Sequence, residues 1–274
     1  MILASTLSAS FALGLAAALA YAVPALGSGL RPRASSMNPR LAELSLVIAW
    51  ALHGAVLAIT LWGRAPHFGF AQAVSMTAWL VLTVYGIESR LYPRLRAQWW
   101  LSGLGSAAVL LALWFPGVPL QREASPWLPL HLALGVASYG LFAAAVVHGW
   151  LMTRAERQIR GAADAADGLP LLTLERLTFR FVQAGFVLLS ATLLAGFFFG
   201  EDLYGSARAA WRVDHKTVFS VLSWLCFAVL LAGRARLGWR GRFAVRMLYG
   251  GAGLLLLAYV GSRFVLEVVL GRSV

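Results

Sequence analysis

Residues Trp211–Trp224 read WRVDHKTVFSVLSW, and the rest of the chain is organised around them. A polar stretch, 200–212, comes before, and an apolar run continues beyond to about Gly233. Asp214 stands where a helix N-cap belongs. An acidic side chain there accepts hydrogen bonds from the unpaired N–H groups of the first turn, and its charge favours the positive helix end. His215 and Lys216, the only lysine in the protein, follow directly. A cap, an imidazole and a cation are costly at a lipid boundary unless they are used. His131 opens a second apolar run in the same way, after Ser125-Pro126-Trp127-Leu128-Pro129-Leu130. The expectation is that the two helix mouths face each other and hold something between them.

Composition sets the class. The 274 residues are 60% hydrophobic and only 12% charged, with a mean hydropathy of +0.74, whereas soluble domains carry about a quarter charged residues. This is the composition of an all-α, polytopic membrane protein. The net charge of +12 would suggest nucleic acid in a soluble protein. Here the positive charge is almost all arginine between apolar runs, which is the pattern of membrane orientation, so no nucleic-acid partner is expected. The single cysteine, Cys226, lies inside an apolar run and excludes an internal disulfide or a dithiol redox pair.

Eight runs have about the length a bilayer requires: Leu3–Leu26, Leu41–Trp62, Phe68–Ile87, Trp99–Phe115, Leu130–Met152, Thr178–Phe199, Val213–Leu231 and Phe243–Leu270. The first has no Lys or Arg before Arg31, so it reads as a true span rather than a cleaved signal, which needs a basic start. Alternate connections hold fourteen arginines on one side and five on the other. The positive-inside rule then puts both termini outside, in agreement with an even number of spans. The whole chain, 1–274, reads as one membrane domain without a soluble domain or internal repeat. Gly14, Ala17, Gly135, Gly140, Gly250 and Gly253 are expected at close helix contacts.

Of the five histidines, His67, His131 and His215 fall at outer ends of spans, His53 inside the second and His148 near the inner end of the fifth. A lone membrane histidine is most often a helix–helix hydrogen-bonding group, and that reading suits His148. His53, at mid-span, is a functional candidate by default. His131 and His215 have indole rings and a rigid or capped turn beside them. Two neutral imidazoles from opposing helices suit the axial positions of haem iron. Trp127 and Trp211 could form walls. Arg122, Arg208 and Arg212 could pair with propionates, since guanidinium is the usual carboxylate partner. Arg263 and Glu267, four apart in the last span, share a helix face. Counting from Phe243 at about 1.5 Å per residue puts Arg263 near the outer interface, level with the two histidines. It is either a snorkelling arginine with its own glutamate or a further cation over the same pocket.

At these residues the chain resembles the cytochrome c assembly family of CcsA/CcmC-type haem-handling membrane proteins, most of all its smaller YpjD branch, related to HemX. SPWLPLHLALGVASYGLF resembles the family's Trp-Leu-x-x-His helix with a following Ser-Tyr. VDHKTVFSVLSWLCFAVLL resembles its Trp-Asp-Pro-Lys-Glu-Thr helix, and LGWRGRFAVRMLYGGAGLLLLAYVGSRFVL its Gly-Trp-Arg-Gly loop and last span. His53, in ALHGAVL, looks like a feature of the YpjD branch. The assembly-like region runs from about 41 to 270.

The resemblance implies a haem-binding protein at the outer face of the bacterial inner (cytoplasmic) membrane, acting in cytochrome c biogenesis beside other assembly proteins. The haem would be b-type and non-covalent. His131 matches the family's first external ligand. The tryptophan-rich external loop is thinned to Trp211, the family proline after the Asp is replaced by His215, and the second external histidine has no counterpart in VLEVVLGRSV. The chain is therefore expected to be an assembly factor rather than a catalyst. His131 and His215 would be axial ligands, His53 a second, intramembrane station, and Arg208, Arg212 and Arg263 propionate partners. The rival reading is a membrane transporter or transporter subunit without haem, using His53, His148 and the Arg263–Glu267 pair. A third is a structural partner that binds no cofactor.

Overall fold

The computed structural model describes residues 2–29, 39–63, 66–92, 99–119, 127–160, 170–199 and 215–271. Among these are eight helices, one for each expected span: α1 (Ile2–Gly29), α2 (Pro39–Trp62), α3 (Phe70–Leu91), α4 (Trp99–Trp114), α5 (Leu128–Arg160), α6 (Leu171–Phe198), α7 (His215–Leu237) and α8 (Gly241–Val269). Six apolar stretches, Arg40–Trp62, Phe70–Leu91, Leu128–Ile159, Leu171–Phe198, His215–Leu237 and Gly241–Val269, are each long and apolar enough to cross a bilayer, and α1 and α4 carry shorter apolar stretches, Ser10–Leu26 and Trp100–Trp114. The protein is an all-α, multi-pass membrane protein.

The helices form two compact units, α1–α4 and α5–α8. In the first, α1 packs on α2 and α4 around Ala17, Ala18, Tyr21, Ala49 and Val109. Small residues bring these helices together. A Cβ at Gly14 would stand 2.7 Å from Leu113, and Ser106 donates to the Ala18 carbonyl at 2.9 Å. A two-residue antiparallel strand pair, β1 (His67–Phe68) with β2 (Val118–Pro119), joins the start of α3 to the end of α4, pairing His67 with Pro119. Gly117, at φ 78°, closes it where a side chain would meet the Gly69 nitrogen at 2.8 Å. Gln72 fixes the same corner by donating to the Phe115 carbonyl at 2.9 Å.

The second unit is a four-helix bundle. α5 packs along α6 and α8, and α7 along the same two, so α5 and α7 lie across the diagonal. Neighbours run antiparallel, which makes α5 and α7 parallel. The centre of the diagonal is occupied by Phe142 and Phe227, stacked with centroids 3.8 Å apart and planes 5° apart. Glycines on the other two helices make room. A Cβ at Gly185 would lie 3.1 Å from the Phe142 ring, and one at Gly251 would lie 2.8 Å from the Phe227 ring. Gly251, rather than the expected Gly250 and Gly253, is therefore the contact glycine of α8; those two have nothing within 4 Å. Trp224 donates to Ser190 at 2.8 Å, and Ser223 to the Gly251 carbonyl at 2.8 Å.

Helix ends depart from the apolar runs. α5 continues to Arg160, α6 begins at Leu171 and α7 reaches Leu237. The added residues are rich in Leu, Arg and Glu, good helix formers that extend a helix past the apolar layer. α7 then stops at Gly238, which takes φ 65°, and the Trp239 N–H reaches back to the Gly233 carbonyl at 3.2 Å. A glycine in the left-handed region is the natural residue for such a helix end.

Candidate functional site

His131 is the fourth residue of α5, one turn after Trp127, whose carbonyl its N–H engages at 3.0 Å. Trp127 is half exposed and stacks on Phe199, just past the end of α6, with centroids 5.0 Å apart. The His131 ring lies against Gly196, where a Cβ would stand 3.6 Å from its Cε1. An indole, a phenyl ring and an imidazole thus share the end of the α5–α6 pair.

His215 is the first residue of α7 and is exposed. Its level follows from the stack at the bundle centre. His131 precedes Phe142 by eleven residues and His215 precedes Phe227 by twelve. At about 1.5 Å per residue both stand roughly 17 Å from the stack, in the same direction, because the two helices are parallel. Their levels differ by about one residue's rise.

Arg263 reaches this level from α8. It follows Gly251, the neighbour of Phe227, by twelve residues and is partly buried, with its guanidinium 6.0 Å from the Tyr259 ring. Two π-helical turns, Leu257–Gly261 and Val265–Val269, flank it. Such turns inside α-helices are frequent at functional sites. Tyr139 of α5 donates its hydroxyl to the Leu255 carbonyl, at the edge of the first π turn. There a turn with shifted hydrogen bonding gains from an outside donor.

Of the expected site, then, His131, Trp127, His215 and Arg263 lie at one end of the α5–α8 bundle. Arg208, Trp211 and Arg212, with Arg122 and the capping Asp214, lie outside the described residues. His53 belongs to the α1–α4 unit. It is fully buried, bonds Ser75 through Nε2 at 2.8 Å and meets the Tyr21 ring edge-on at 5.8 Å. Its Nδ1 has no hydrogen-bond partner among the described residues. His148 is buried with Nδ1 on the Ala144 carbonyl of its own helix at 2.8 Å.

Residues 39–270 match the family described as cytochrome c assembly protein. The chain belongs to the cytochrome c assembly protein family. Among its relatives is the inner membrane protein YpjD of Escherichia coli K12, 28% identical over 241 residues, which cover 84% of this chain and 88% of the relative. An uncharacterised 28.8 kDa protein of Azospirillum brasilense is 33% identical over 217 residues, covering 75% and 78%. The cytochrome c biogenesis protein CcsA of Synechococcus sp. strain CC9902 is 25% identical over 265 residues, covering 83% and 84%. No solved structure matches the chain.

The groups present at this bundle end fit the chemistry that haem would need. Two imidazoles at one level on diagonal helices would offer nitrogen ligands, an aromatic pair would offer a flat wall, and a guanidinium would offer a carboxylate partner. The N-terminal ends of α5 and α7 add partial positive charge at the same level, which favours carboxylates. Sequence reading alone gave no sign of the π turns or of the Phe142–Phe227 stack, since neither has a local signature.

Proposed function

We propose that this chain binds haem and handles it during cytochrome c biogenesis, as an assembly factor in the inner (cytoplasmic) membrane. The role in biogenesis rests on membership of the cytochrome c assembly family. The finer reading, an external site for non-covalent b-type haem with His131 and His215 as axial ligands, is supported above all by the matched level of the two histidines on parallel, diagonal helices. Bound there, the haem is cargo, and its iron takes up nitrogen ligands.

The chain's own residues divide the work. His131, set against Gly196, offers its imidazole from α5; His215 offers a second from the mouth of α7. Trp127, braced on Phe199, covers a porphyrin edge and keeps water from it. Arg263 pairs with a propionate; Arg208 and Arg212 as further propionate partners and Trp211 as a wall are assigned from the sequence, since they lie outside the described residues. His53 is a second, intramembrane station that offers Nδ1, because Ser75 holds Nε2. The arginine distribution puts the histidine end outside and the Arg154, Arg176 and Arg240 end inside.

The test is the visible spectrum of the protein purified in detergent with haem supplied. A Soret band that is lost in His131→Ala is expected. A colourless protein that takes up no haem would favour a transporter or a structural partner.

A further inference from the structure

The opposite end of the α5–α8 bundle carries a separate basic cavity. It is an open hollow of about 440 Å³ between the start of α6 and the end of α7. Arg176 and Arg180 line it from α6, four residues apart and so on one helix face. Arg234 and Arg240 line it from the α7 end and the turn that follows. Glu175 is the one carboxylate in the lining. It is held by Arg234 and lies 3.5 Å from Arg240 Nε. The Arg234 guanidinium sits 4.1 Å from the Phe179 ring and bonds the Trp239 carbonyl at 3.3 Å. These contacts fix its position from three sides. Arg176 and Arg180 are exposed and make no ion pair among the described residues. The hollow therefore holds four guanidinium groups against one carboxylate.

We infer that this cavity binds the phosphate headgroup of an anionic phospholipid. Four guanidinium groups are well matched to phosphate oxygens, which they hold through paired N–H donors. The α6 N-terminus beside them adds partial positive charge. The cavity opens where two membrane-spanning helices leave the apolar layer, at the arginine-rich end of the bundle, where an anionic leaflet is attracted. Leu172, 73% exposed on the rim, provides apolar surface for the glycerol and first methylenes. A lipid there would tie α6 to α7 at the end away from the histidines. The inference does not depend on the haem reading.

Native mass spectrometry of the full-length, delipidated protein tests it, with dioleoyl phosphatidylglycerol, dioleoyl phosphatidylcholine and inorganic phosphate as separate probes. Phosphatidylglycerol is expected to bind selectively. Arg176→Gln with Arg180→Gln is expected to weaken it about 30-fold, from roughly 1 kcal/mol per basic residue near an anionic lipid. The charge-matched control, Arg236→Gln with Arg242→Gln, removes exposed arginines outside the cavity and is expected to change affinity several-fold less. Equal binding of the two lipids, or equal loss in both double variants, overturns the site. Inorganic phosphate binding as tightly as phosphatidylglycerol makes it a free-anion site and overturns the lipid assignment.

Discussion

Phe142 of α5 and Phe227 of α7 stack at 3.8 Å across the diagonal of the second unit. That contact sets the register of two parallel helices that otherwise touch little. Because each helix carries a histidine about three turns away in the same direction, the stack determines that the imidazoles share a level. A one-residue slip in either helix would rotate its histidine by about 100° and move it by about 1.5 Å.

The stack depends on the glycines beside it. Gly251→Val is expected to destabilise the protein by about 1–3 kcal/mol, since its Cβ must push back a ring held by its partner. Gly253→Ala, two residues away with open space around it, should be neutral or gain up to about 1 kcal/mol of helix propensity. Thermal unfolding in detergent separates them. Equal effects of the two substitutions would contradict the packing role.

Tyr139 ties α5 to α8 at the first π turn. Tyr139→Phe keeps the ring and removes the donor from the Leu255 carbonyl, at an expected cost of about 1 kcal/mol. It should also weaken haem binding if the turn sets the direction of Arg263. The comparison is haem affinity in Tyr139→Phe against Arg263→Gln, the second being expected to lose more. A Tyr139→Phe protein that is destabilised but binds haem fully would restrict the hydroxyl to a structural role.

His53 is expected to matter first for stability. His53→Ala opens a cavity in the α1–α4 core and strips Ser75 of its partner, a loss of about 2–4 kcal/mol. Haem at the external site should be retained in the surviving folded protein. A His53→Ala protein of normal stability that loses all its haem would make this residue the principal ligand.

Much of the fold was legible in the sequence. Each span is an apolar run of bilayer length, and eight such runs became eight helices. Helix ends were not legible, because the helix-forming residues Arg154 to Arg160 and Leu171 to Arg176 carry Arg and Glu, so the uncharged apolar run stops before the helix does. That is why the cluster of Glu175 with Arg234 and Arg240 escaped a reading of spans and loops. At the other end, residue type singled out His131 and His215, and the family resemblance singled out His131 alone. Their common level came from Phe142, Phe227, Gly185 and Gly251, four residues whose importance is visible only once they touch.

Orientation has its own check. Single cysteines replacing Gly205 and Arg240 in a Cys226→Ala protein are expected to differ on intact cells, with an impermeant thiol reagent labelling the first and not the second. Labelling at position 240 alone would reverse the topology and place the histidine end in the cytoplasm.

The central claim is that His131 and His215 hold one haem between them. Haem content and visible spectrum measured for wild type, His131→Ala, His215→Ala and His148→Ala, with and without added imidazole, test it most directly. The account predicts that His131→Ala and His215→Ala each lose haem and that imidazole restores part of it by filling the vacant axial position. His148→Ala, whose ring is bonded to its own helix, should keep its haem. Full haem content and an unchanged spectrum in His215→Ala would contradict the account, because the second ligand would then lie elsewhere.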